Sequence, residues 1–295
     1  MRYTPHDELI APARPSAQPA RLLAGVLLTI VLFLVLTSGF SAILQSLVGP
    51  QAWEALSPAL QTGTTPIAVL INLFVFGLLI MALAVALRVA HKRTLASLLG
   101  PLGPATRQFR RVAVALIILL LVIVFLPSGN ALRPVPNMSF DLWLLFLPVG
   151  VLAVLMQTTA EELAFRGYLQ SQLAARFNHP VIWMGLPSAL FALLHLDPSA
   201  HGDNTWLVVI WAGCFALAAA DLTARSGTLA PAIALHFINN LNAILIAAPK
   251  GYFDGLALYV YPFSLQDSGA IWAWFPADLL MLGCGWLAAR VALRR

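Results

Sequence analysis

Long apolar runs recur so regularly in this chain that only a membrane offers them a common solvent. They lie near residues 22–47, 66–90, 111–127, 140–163, 181–196, 205–222, 230–248 and 270–291. A helical run of about 20 apolar residues crosses roughly 30 Å of hydrocarbon. The runs are continuous rather than alternating, which argues against strands. The expected fold is therefore all-α, a polytopic transmembrane helical bundle with about eight membrane helices. With 60% of the chain hydrophobic and 10% charged, no room is left for a soluble domain.

The runs divide the chain. Residues 1–21 are polar and rich in Pro and Ala, and read as a disordered cytoplasmic tail. Residues 22–139 hold helices one to three, residues 140–248 a core of helices four to seven, and residues 249–295 an external loop and helix eight. Leu22–Leu36 has the length of a signal-peptide core, but Asp7 and Glu8 precede it and no small-residue cleavage site follows, so a retained helix is expected. Cys214 and Cys284 fall in separate apolar runs and read as small core residues. Tyr252, Phe253, Tyr259, Tyr261 and Phe263 read as anchors at the external interface.

Charge sets the orientation. With the N-terminus in the cytoplasm, every Lys and Arg except Arg133 and Lys250 falls on the cytoplasmic side, as the positive-inside bias requires. Both termini are then cytoplasmic, and an integral protein of a bacterial inner membrane is expected. The net charge of +5 is accounted for by this bias and by anionic headgroups, so no nucleic-acid partner is implied.

Against this background, the stretch MQTTAEELAFRGYLQ (Met156–Gln170) stands out. An ionised side chain inside a bilayer costs roughly 3 kcal/mol or more, so Glu161 and Glu162 mark a polar interior and a function. His195 and His236 also lie in apolar runs. Helices four and five turn near Arg176–Pro180. Glu161 and His195 are equally far along the chain from the middle of that turn, about 25 Å at 1.5 Å per residue, so they can face each other. His236 lies roughly 12 Å past its own turn, and the heights agree if helices four and five project into the cytoplasm.

Spacings of i, i+4 put residues on one helix face. By that rule Glu162 pairs with Arg166, Phe191 sits one turn before His195 as a pocket wall, and His236 projects with Asn240. Glu161 is left without an evident cation, which suits a general base. His195 can share the water it activates, while His236 and Asn240 can donate to a developing oxyanion.

The segments EELAFR (Glu161–Arg166), FALLH (Phe191–His195) and HFINN (His236–Asn240) resemble the E-E-x-x-x-R, F-x-x-x-H and H-x-x-x-N/D motifs of one family. It is the CPBP or Abi family of intramembrane endopeptidases, related to the type II CAAX prenyl proteases. Order and spacing agree across about residues 140–248. The resemblance implies Glu161 as catalytic base, His195 sharing its water, and His236 with Asn240 as the oxyanion hole. Glu162, Arg166 and Phe191 would support the site, and the substrate would be a peptide or membrane protein.

Two other readings use the same residues. Glu161, His195 and His236 form a possible His₂Glu zinc set, although H-E-x-x-H is absent; otherwise no cofactor is expected. A transporter or immunity-type protein could use a Glu/His relay, but helices four to seven show no inverted repeat or Gly/Pro-broken pair of spans. Asp221 with Arg225 reads as a helix-end pair. Asp278, in the last apolar run, has no partner in this reading, and His6, His91, His179 and His201 are assigned nothing.

Overall fold

A computed structural model describes residues 3–125 and 133–294. The end of the expected 111–127 helix, together with Arg2 and Arg295, lies outside the described residues.

Among the described residues five helices are long and apolar enough to cross a membrane: α2 (Pro19–Val48), α4 (Pro66–His91), α6 (Phe140–Ala174), α8 (Pro198–Ser226) and α10 (Ser268–Leu293). Two shorter apolar helices, α7 (Val181–Leu193) and α9 (Ala230–Ile246), complete the core. α5 (Leu102–Val124) carries Arg107, Arg110 and Arg111 in its first half. Among the described residues each of the eight expected segments is helical over most of its length, but fewer than eight meet the length and composition needed to span alone. Much of the apolar surface stays outward: Leu34 is 58% exposed and Leu47 78%. Apolar exposure on this scale matches a lipid-facing belt and would be a liability in water.

Start signals lie where capping chemistry puts them. Pro opens α2, α4 and α8 as a residue whose missing N–H costs a helix start nothing. Asp197 caps α8 by accepting from the Ser199 and Ala200 backbone N–H groups, and Asp267 caps α10 through Ala270 N–H. α8 ends at Gly227, whose φ of +72° favours glycine.

α9 is the innermost helix. It packs against α5, α6 and α8, and from Ala230 to His236 every side chain is buried. A helix that is apolar all round belongs at such a position. It brings His236 against α6 and toward α7.

Four expectations need correction. Residues 1–21 are not a disordered tail throughout: α1 (His6–Ile10) and a 3₁₀ turn, Ala11–Ser16, fold against the core helices. The reason is apolar content inside a polar stretch, since Leu9 is 1% exposed and Ile10 7%. Tyr3 Oη donates to Asp221 at 3.0 Å, and a Cβ on Gly227 would collide with the Pro5 carbonyl.

Strands do occur, as a small sheet of Val135–Pro136, Tyr259–Tyr261 and Ala247–Pro249 in that spatial order. The first pair is antiparallel, with Val135 opposite Val260, and the second parallel, with Ala248 opposite Val260. The backbone groups of these segments fall outside the helices and need partners of their own. Phe263 is not an interface anchor, because it is buried against Leu207 and Ile271. Cys214 is exposed on α8 rather than in the core. α3 (Pro50–Thr62), with no buried residue, is a helix outside the expected set.

Candidate active site

α6 does not end at Glu162. It continues as a π-helical stretch, Leu163–Gln170, before a last α-turn at Ser171–Ala174. A wider turn re-aims the side chains that follow, and such stretches gather at functional sites. Here it carries Arg166 under the two glutamates.

The centre is a four-member ion cluster. Arg166 Nη1 donates to Glu162 Oε1 at 2.9 Å. His236 Nδ1 lies 2.8 Å from the same oxygen, and its Nε2 is 3.5 Å from Glu161 Oε2. The carboxylate of an ion pair can only accept, so the Nδ1 hydrogen of His236 points at Glu162. The two glutamates differ in access: the side chain of Glu161 is 16% exposed and that of Glu162 0%. Glu162 is committed to Arg166 and His236, while Glu161 keeps an open face.

Phe191 holds the cluster from α7. Its ring centroid is 4.6 Å from the Arg166 guanidinium carbon, 4.9 Å from the His195 ring and 6.1 Å from the His236 ring. A guanidinium over an aromatic face is attracted by the ring's quadrupole, which partly replaces lost hydration. Phe215 of α8 closes the other side, 4.8 Å from His236.

The structure thus gathers Glu161, Glu162, Arg166, Phe191 and His236. His195 and Asn240 come in from a neighbouring cavity of about 520 Å³, which both of them line. His195 Nδ1 is 2.9 Å from the Phe191 carbonyl, so that nitrogen donates and fixes the ring. Among the described residues no hydrogen bond or ion pair joins Glu161 to His195. Asn240 Nδ2 donates to Gln157 Oε1 at 3.0 Å, and its Oδ1 accepts from Asn239 Nδ2 at 3.2 Å. One Asn240 N–H remains.

Gln157 was missed in the sequence, although a signal existed: it is polar, lies in an apolar run and sits one turn before Glu161. The second role of His236, bonding Glu162, had no signal, because it depends on how α9 is rotated against α6. Among the described residues no three His, Cys, Asp or Glu side chains converge as a metal site, and Glu162 Oε1 is already shared by Arg166 and His236.

Fold and site together define a polytopic integral membrane protein with a buried glutamate–histidine centre. Comparison narrows the class. Residues 142–242 match the family model described as type II CAAX prenyl endopeptidase Rce1-like. The chain is also similar to the uncharacterized protein YyaK of Bacillus subtilis (strain 168), 26% identical over 120 residues. That match covers 40% of this chain and 39% of the relative. No solved structure matches.

Proposed function

We propose that this protein is an intramembrane endopeptidase that cleaves peptide or membrane-protein substrates with a water activated by Glu161. The observation that carries the reading is the asymmetry of the paired glutamates. Glu162 is closed off by Arg166 and His236, so its partner alone can meet a water and a substrate carbonyl.

In the reaction, Glu161 takes a proton from water as the water oxygen bonds to the carbonyl carbon. His195 helps hold that water. The carbonyl oxygen gains negative charge and is met by the remaining Asn240 N–H and by His236, which donates from Nε2 when both its nitrogens carry hydrogen. Preorganised donors of this kind are each worth about 3–4 kcal/mol of barrier. The C–N bond then breaks, the proton on Glu161 passes to the leaving amine nitrogen, and the carboxylate is restored. No metal takes part in this scheme.

The test is hydrolysis of an internally quenched peptide by purified protein. Glu161→Gln should abolish cleavage; a variant that still cleaves at the wild-type rate would refute the assignment. The Lys and Arg distribution supports both termini facing the cytoplasm of a bacterial inner membrane. A cysteine at position 201 that reacts with a membrane-impermeant reagent only from the cytoplasmic side would overturn that orientation.

A further inference from the structure

Asp278 lies in α10, a helix long and apolar enough to cross a membrane, and no ion pair or hydrogen bond to it exists among the described residues. A carboxylate at such depth is expensive, and an unpaired one marks function by default. It faces the cavity of about 520 Å³ that His195 and Asn240 also line, and Trp274 lines the same cavity one turn before it. Asp197 lines this cavity too, but its carboxylate is engaged by Ser199 and Ala200. Asp278 is therefore the uncommitted acid of the lining.

Its neighbours are aromatic. The rings of Tyr261 and Trp274 are 4.7 Å apart, those of Phe263 and Trp274 5.9 Å, and those of Tyr261 and Phe263 5.4 Å. Burial, and then the Asp278 charge, pushes the Tyr261 phenol up, as expected of a carboxylate beside that ring. Aromatic faces and one free carboxylate together attract a cation strongly, and a planar guanidinium most of all, because it stacks and pairs at once.

We propose that Asp278, with Tyr261, Phe263 and Trp274, forms a specificity subsite for a basic side chain, Arg or Lys, of the cleaved peptide. The inference rests on the peptidase reading: because the cavity also holds His195 and Asn240, a chain threaded through it presents its backbone to the centre and a side chain to Asp278. Asp278 acts on substrate choice and takes no part in the proton transfers.

The experiment pairs peptides that differ only in arginine against citrulline, its uncharged isostere, placed in turn at each position near the cleaved bond. At one position the wild-type protein should favour arginine by about tenfold in kcat/KM, the scale of a desolvated cation contact. Asp278→Asn should reduce that ratio to within about twofold, and Asp278→Lys should favour a glutamate peptide instead. Cleavage with no arginine preference at any position, or a preference that survives Asp278→Asn, overturns the subsite and leaves the peptidase standing. If the wild-type protein cleaves nothing, the peptidase reading fails, and binding of the same peptide pairs to Glu161→Gln protein, followed by tryptophan fluorescence, decides the subsite. Charge-selective binding lost in a Glu161→Gln, Asp278→Asn double variant sustains it; equal binding of arginine and citrulline peptides overturns it.

Discussion

His236 and Glu162 are joined at 2.8 Å through Nδ1 and Oε1, and this bond separates the roles of the paired glutamates. Removing Glu162 strands two groups: Arg166, whose side chain is 1% exposed, and His236, 5% exposed. Breaking a buried pair by taking out one partner costs about 3–5 kcal/mol, because the remaining charge has nowhere to go. Glu162→Ala should therefore lower the melting temperature and yield as well as activity. Glu161→Gln should abolish activity with the melting temperature nearly unchanged. Thermal unfolding of both variants in one detergent checks the division, and equal losses would refute it.

Asn240 has one N–H left for a substrate because its other contacts are taken by Gln157 and Asn239. Asn240→Ala should cut kcat by roughly 10²–10³, the usual effect of a lost oxyanion donor. Gln157→Ala removes the group that orients the amide rather than the donor itself. It should lower kcat by about tenfold and leave KM in place, since the missing interaction is one made in the transition state. Steady-state kinetics of the two variants provide the check. A rise in KM with kcat intact would assign both residues to substrate binding instead.

The parts of this protein that follow from local chemistry were legible in the sequence, and the parts that follow from rotation between helices were not. Apolar runs marked the helical segments, and i, i+4 spacing found the Glu162–Arg166 and Asp221–Arg225 pairs, seen at 2.9 Å and 2.7 Å. The same rule applied to Gln157 would have found the residue that orients Asn240. His236 facing both glutamates depends on the roll of α9 against α6, and the π-helical stretch after Glu162 shifts that register further; neither leaves a periodic trace. The N-terminal segment was misread because its prolines suggest disorder, whereas Leu9 and Ile10 together with the ring of Tyr3 give it enough to bury.

That segment contains a pH-sensitive contact. His6 is 4% exposed, its Nε2 has no hydrogen-bond partner among the described residues, and its ring lies 4.9 Å from that of Trp183. Burial lowers its pKa from 6.5 to about 4, with Asp7 acting weakly in the opposite sense. The folded segment thus holds neutral His6, and the detached segment takes up a proton first. Docking is fully stable above about pH 6.5 and is lost progressively as pH falls from 6.5 towards 4, by about 2 kcal/mol at pH 5. Limited proteolysis should cut the N-terminal segment faster at pH 5 than at pH 7.5. His6→Phe, which can still pack on Trp183, should flatten the difference. Equal cutting at the two pH values in the wild-type protein would exclude this linkage.

Metal dependence is the sharpest divide between the two hydrolytic schemes these residues allow. A catalytic zinc needs three protein ligands and an open position for water. Its ligands must give their lone pairs to the ion, so binding competes with other uses of the same atoms. In this site Glu162 Oε1 accepts from both Arg166 and His236, and the Nδ1 of His195 is turned to a backbone carbonyl. Among the described residues Glu161, His195 and His236 do not converge as a ligand set, so a zinc bound by all three would require them to shift together. We therefore expect purified protein to contain no stoichiometric zinc and to keep its peptidase activity after exhaustive chelation. Elemental analysis joined to the quenched-peptide assay makes the measurement. One zinc per chain, with activity lost on its removal and restored on its return, would replace Glu161 by the metal as the agent that activates water.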